Sequence, residues 1–154
     1  MLGFGKPDTE SVDEFWKKTA EKRGGDVGLI TFATYVGRSG TELLMLAGVL
    51  YTVGRSVWFE DFDRDNWFAR LIGQGKKWEK TEMGFPKSDV SFVRVVSKGS
   101  AYRCVRGALD QRQTQAVSPL ARFFSSPSLQ IGLVQGHSLF FEVLKQKELV
   151  DFLT

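Results

Sequence analysis

The hydrophobic positions recur every three to four residues near the start of the chain and every two residues after residue 27. Ser11-Val-Asp-Glu14 has the form of a capping box, a hydroxyl N-cap with a carboxylate three residues on. Val12, Phe15, Trp16 and Thr19 then share one face, with Lys17, Lys18, Glu21 and Lys22 off it. That spacing predicts an amphipathic helix over residues 11–23. Lys22 and Arg23 suit the negative end of its dipole, and Gly24-Gly25 stop it. The helix must dock on something, and the following domain is the first expectation, ahead of a separate partner.

The alternation then predicts strands over residues 28–36, 43–47, 49–53 and 56–62, with turns at 37–40 and at Gly54-Arg55. A further pair is expected over residues 67–72 and 77–83, around Gly73-Gln-Gly75. Residues 90–96 and 101–106 flank Ser97-Lys-Gly-Ser100 and read as a hairpin. Residues 129–134 and 138–143, around Gln135-Gly136-His137, read as another. Leu149, Val150, Phe152 and Leu153 mark one face of a closing helix over residues 145–153. Ser118-Pro119 has the form of an N-cap and first position of a short helix through residue 124, inside an insert over residues 108–127. The expected architecture is mainly β: a small antiparallel barrel with a C-terminal capping helix and an N-terminal amphipathic helix. The expected organisation is an N-terminal extension, residues 1–27, packed on one domain, residues 28–154.

Composition narrows this picture. The 154 residues suit one hydrophobic core, and 13% are aromatic. One Cys excludes an intrachain disulfide, and one Cys with one His excludes a zinc site of the usual kind. No metal and no cofactor is expected, and little histidine chemistry is available. The chain therefore reads as a binding module more than as an enzyme.

The net charge of +3 is unevenly spread. Residues 71–106 carry eight basic and three acidic groups, whereas the other segments are close to neutral. Such an excess can attract an anionic surface at roughly 1 kcal/mol per well-placed base. Lys76, Lys77 and Lys80, with Trp78 among them and Arg38 nearby in the expected barrel, form the candidate anionic-surface site. Lys87, Arg94 and Lys98 would extend it along one side. The alternative is a solvated strand face. Gly73-Gln-Gly75-Lys76-Lys77 lacks the spacing of a phosphate loop and reads as a basic turn.

Other constellations are weak. Asp61-Phe-Asp63-Arg-Asp65-Asn66 begins like a calcium loop, but Asn66 and Ile72 stand where Gly and Glu belong, so an acidic exposed turn is expected. His137 reads as an exposed turn residue. Cys104, between Arg103 and Arg106, reads as a buried thiol, with an arginine-activated thiolate as the alternative. The longest largely apolar stretch, residues 43–53, is too short for the roughly 20 residues that span a bilayer. No secretory signal is visible, so a cytoplasmic location is expected, peripheral to a membrane at most.

Gly48-Val-Leu-Tyr-Thr-Val-Gly-Arg-Ser-Val-Trp-Phe-Glu60 resembles the strand–turn–strand of bacterial PH-like and GRAM domains. Gly48, Leu50, Tyr51, Arg55 and Phe59 match that pattern, and the Thr is displaced to position 52. Phe85-Pro86-Lys87-Ser88-Asp89-Val90 is similar to the entry to the next strand in those families, and residues 138–143 and 148–153 to their last strand and helix. The resemblance implies two near-orthogonal antiparallel sheets plugged by the terminal helix, with Phe152 in place of the usual tryptophan. It also implies a binding function, with a protein or peptide as the expected partner. The basic cluster that binds inositol phosphates is reduced here to Arg38, so such recognition would need the Lys76-Lys77-Lys80 region. The alternatives are weak binding of an anionic lipid surface through residues 71–106, or a small barrel around an apolar ligand. A nucleic-acid partner has little support, because the basicity is local.

Overall fold

The long first strand organises the molecule, because it pairs along both of its edges. In a computed structural model, which describes residues 6–62, 81–118, 120 and 126–154, the elements follow in this order. They are α1 (Lys6–Arg23), β1 (Val27–Arg38), β2 (Leu46–Val53), β3 (Ser56–Asp61), β4 (Glu82–Pro86), a 3-10 turn (Lys87–Asp89) and β5 (Val90–Val96). Then come α2 (Lys98–Val105), β6 (Ser128–Leu133), β7 (Ser138–Val143) and α3 (Gln146–Leu153). The strands form one antiparallel sheet in the order β4-β3-β2-β1-β7-β6-β5, curled into a half-barrel. The implied pair of sheets is thus hydrogen-bonded into one, because twelve-residue β1 reaches β2 with Val27–Tyr35 and β7 with Ala33–Arg38.

Alternation sorts the side chains to two faces. The inner face carries Ala33, Tyr35, Leu50, Val57, Phe59, Phe85, Leu129, Ile131 and Phe141, all buried. Tyr35, Phe59 and Phe141 meet with ring centroids 5.1–5.9 Å apart. Helix α3 closes this face with Leu149 and Leu153, and Val150 and Phe152 pack at its margin. Burying one such leucine is worth about 1.5–3 kcal/mol, and the four residues are the apolar face read from the sequence. On the outer face, α2 sets Ala101, Cys104 and Val105 against Val36, Val96 and Phe140.

Three expectations are corrected. Residues 101–105 are helical, with Arg106 as the C-cap, and not a strand: Ser97 caps α2 by accepting from Ser100 N–H, and its buried residues recur at helical spacing. Tyr, Cys and Val favour a strand in isolation, but the cap and the burial of that stripe decide otherwise. Helix α1 begins at Lys6, so Ser11 lies inside it and is not its N-cap. Its end is as expected, since Gly24, at φ 77°, and Gly25 both donate to the Ala20 carbonyl. Residues 46–53 form one strand where two were expected, because Gly48 continues the β2 ladder opposite Asp61.

The insert is described in part. Fully buried Gln130 donates to the Gln111 carbonyl at 2.7 Å and to Ser138 Oγ at 3.0 Å, and accepts from Thr114. This network holds residues 111–114 on the outer face of β6 and β7. A short pairing, Val96 with Ala116, continues it along the edge of β5. The expected strands at 67–72 and 77–83 and the short helix to residue 124 fall wholly or largely outside the described residues, and β4 begins at Glu82.

Candidate functional site

The outer face between α1 and α2 is partly uncovered. Across the sheet, Phe32, Val49, Glu60 and Glu82 stand in one row. Glu142, Thr34 and Ala47 stand in the next, and Phe62 extends it by donating its N–H to the Ala47 carbonyl. The small side chains of Thr34 and Ala47 leave a groove of about 460 Å³ beside Phe32, Phe62 and Leu144. Phe32 and Phe62 meet edge to face with centroids 5.9 Å apart, yet they remain 62% and 45% exposed. An aromatic pair desolvated on one side only is a ready contact for an apolar side chain.

The groove has a polar wall as well. Glu142 accepts from Tyr102 Oη at 2.9 Å, and Lys98 Nζ lies 3.8 Å from the same carboxylate oxygen. Burial, and then the bond to Glu142, raise the Tyr102 pKa, so its hydroxyl stays a donor. Ser126 and Pro127 border the same groove.

Beside it, α1 sits on the β2–β4 side of the face. Trp16 meets the ring of buried Tyr51 edge to face at 5.2 Å. Arg23 stacks on Trp58, with Cζ 3.7 Å from the ring centroid, and its side chain is only 9% exposed. Its Nε donates to Tyr51 Oη at 3.2 Å and its terminal nitrogen to Glu82, with Glu60 at 3.6 Å. Tyr51 donates in turn to Glu60, and Lys22 pairs with Glu82 at 2.8 Å. Burial, then the bond to Glu60, push the Tyr51 hydroxyl up to about 12. Burial opposes the Arg23 charge, but the bonds to Tyr51 and Glu82 outweigh it and raise its pKa. The Lys22 bond, followed by that of Arg23, lowers the pKa of Glu82.

Of the residues singled out in the sequence, Lys76, Lys77, Trp78 and Lys80 lie outside the described residues. Arg38 is exposed at the end of β1. The described bases of the 71–106 segment are dispersed: Lys87 lies over the Phe152 ring, Arg94 bonds Thr114, and Lys98 faces Glu142. Asp61 does not begin an exposed acidic turn. It is buried at the end of β3, where Oδ1 accepts from Thr81 N–H at 2.9 Å. Cys104 is buried on a helix, where burial and then the Asp110 charge push its thiol up to about 11, against an activated thiolate. His137 is half-buried, and burial followed by the Arg38 charge lowers its pKa.

Sequence reasoning missed the groove. Its signal was the phase of β1, in which Ala33 and Tyr35 point inward and Phe32 points out. It also missed Arg23, read as a base at a helix end, because a buried guanidinium needs partners some 30 to 60 residues away. Among the described residues, no helix is long and apolar enough to cross a membrane, and no group of three potential metal ligands converges. Comparison with protein-family models, with curated proteins and with solved structures finds no match to this chain.

Proposed function

We propose that the chain is a non-enzymatic, PH/GRAM-like binding module whose partner is a peptide or an extended protein segment lying along the outer-face groove. The observation that carries this reading is the solvent-facing Phe32–Phe62 pair beside a groove floored by small residues. The seven-strand succession with α3 closing the inner face supports the fold that the sequence resemblance implies. The inner face is filled by the chain's own side chains, so binding falls to the other face. Apolar side chains of the partner would rest on Phe32, Phe62 and Leu144, and Lys98 and Tyr102 beside Glu142 would meet its polar backbone groups.

Selection from a random peptide library displayed on phage tests this. The full chain is expected to enrich peptides with apolar or aromatic anchors. Phe32→Ser and Phe62→Ser are expected to weaken the enriched peptides at least tenfold. Both side chains are partly exposed, so the loss of stability should be confined to about 0.5–1.5 kcal/mol, the worth of their mutual contact. Absence of enrichment, or binding unchanged in both variants, overturns the reading.

A further inference from the structure

The contacts made by Arg23 describe a site as well as a clamp. Glu60 and Glu82 are direct cross-strand neighbours on β3 and β4, and Glu60 is buried. Like charges placed opposite one another destabilise a sheet unless a cation lies between them. Trp58 supplies a flat wall: it stands opposite Gly84, where a Cβ would collide with its six-membered ring, so the ring lies down on the neighbouring strand. The upper face of that ring carries the Arg23 guanidinium. Tyr51, Trp58 and Glu60 come from the β2–β3 hairpin and Glu82 from β4, whose other faces are fixed in the core. An aromatic plate, a phenol oxygen and two carboxylates set around one point suit a guanidinium, which stacks and donates in several directions at once.

The occupant, by contrast, sits on a separate element, the N-terminal helix. Helix α1 touches this face through Trp16, Thr19, Lys22 and Arg23, while Val12 and Phe15 on the same stripe are exposed. Gly24 and Gly25 join it to β1, and Gly24 already adopts a left-handed φ of 77°. The adjoining position in the Glu60 row is Val49, and the next is Phe32 of the groove.

We propose that Trp58, Tyr51, Glu60 and Glu82 form an arginine-binding cage, filled by Arg23 in the free protein and by an arginine of the bound peptide once α1 swings away. The inference rests on the peptide-binding reading of the outer face and adds the charged anchor of its ligand. The exchange replaces one guanidinium by another, so the incoming arginine has to overcome the local concentration of Arg23 and the Trp16 and Lys22 contacts that α1 gives up.

The test uses the full chain and N-acetyl-arginine amide as the probe, with the Trp58 indole resonance followed by NMR. Arg23→Ala is expected to bind the probe saturably, with a dissociation constant at least tenfold lower than that of the wild-type protein. The lysine analogue should bind more weakly and the neutral citrulline analogue not at all. Glu82→Gln in the Arg23→Ala background should weaken the probe severalfold. Absence of saturable binding, or equal binding of citrulline, overturns the cage. Should Arg23→Ala fail to fold, Arg23→Lys, which keeps the charge and loses the planar fork, takes its place under the same criteria. Peptides enriched by the wild-type chain while the probe leaves Arg23→Ala untouched would sink the cage alone. Probe binding without any enriched peptide would support the cage and sink the groove reading.

Discussion

At the scale of single residues, close approach decides more than charge. Gly84 leaves room for the Trp58 ring to lie across β4, and Trp58 in turn carries Arg23. A methyl group at position 84 would lift the ring. Gly84→Ala is therefore expected to cost about 1–3 kcal/mol, as overpacking does. It should also shift the Trp58 indole resonance, and an unchanged resonance with full stability would contradict the packing described. Alternation made much of this face legible, since Tyr51, Trp58 and Glu60 share one phase of the β2–β3 hairpin around Gly54-Arg55. It could not indicate that Glu82 stands beside Glu60, because the two lie far apart in sequence and no local alternation fixes which strands pair.

At the scale of elements, α1 and α3 are held by different forces. Helix α3 is held by apolar burial, whereas α1 combines one aromatic contact with an ionic clamp. Among the described residues, Lys22 and Arg23 from the helix meet Tyr51, Glu60 and Glu82 from the sheet in that clamp. Glu82 has its pKa lowered in the folded protein, so its contribution is complete above the ordinary value of 4.5. That contribution is lost as the pH falls through the lower, folded value. Acidification below pH 4.5 is expected to move the indole resonances of Trp16 and Trp58 together, before the signals of the inner core change. High salt near neutral pH should act in the same direction on the exposed Lys22 pair. Simultaneous loss of helix and core signals would show that the clamp is not separable. The α2 segment was illegible for the opposite reason. Its β-favouring residues carry a local strand preference, and only packing against Val36, Val96 and Phe140 overrides it.

At the scale of the whole molecule, stability is concentrated on the inner face. Leu149→Ala removes a fully buried side chain from the main core and is expected to cost about 2–5 kcal/mol. Denaturant unfolding of that variant should remain one transition with a lower midpoint, whereas Lys22→Ala, which removes only an exposed ion pair of α1, should leave the midpoint much closer to that of the wild-type chain. Equal losses would place α1 within the cooperative core. Much of the strand succession and the closing helix were readable from alternation and turn signals, but the helix in place of a strand at 101–105 and the joining of two expected sheets through β1 were not. That union depends on a strand with both edges paired, a property that no local pattern encodes.

The double pairing of β1 also fixes when the molecule can become whole. The Lys145 N–H reaches Thr31 Oγ1 across 114 residues, and the β1–β7 ladder closes over comparable separations. Contacts this distant along the chain slow folding. During synthesis one edge of β1 stays unpaired until β7 has left the ribosome. A nascent chain therefore carries an open, partly aromatic strand edge from the synthesis of β1 until that of β7, and β7 is the segment that removes this aggregation hazard.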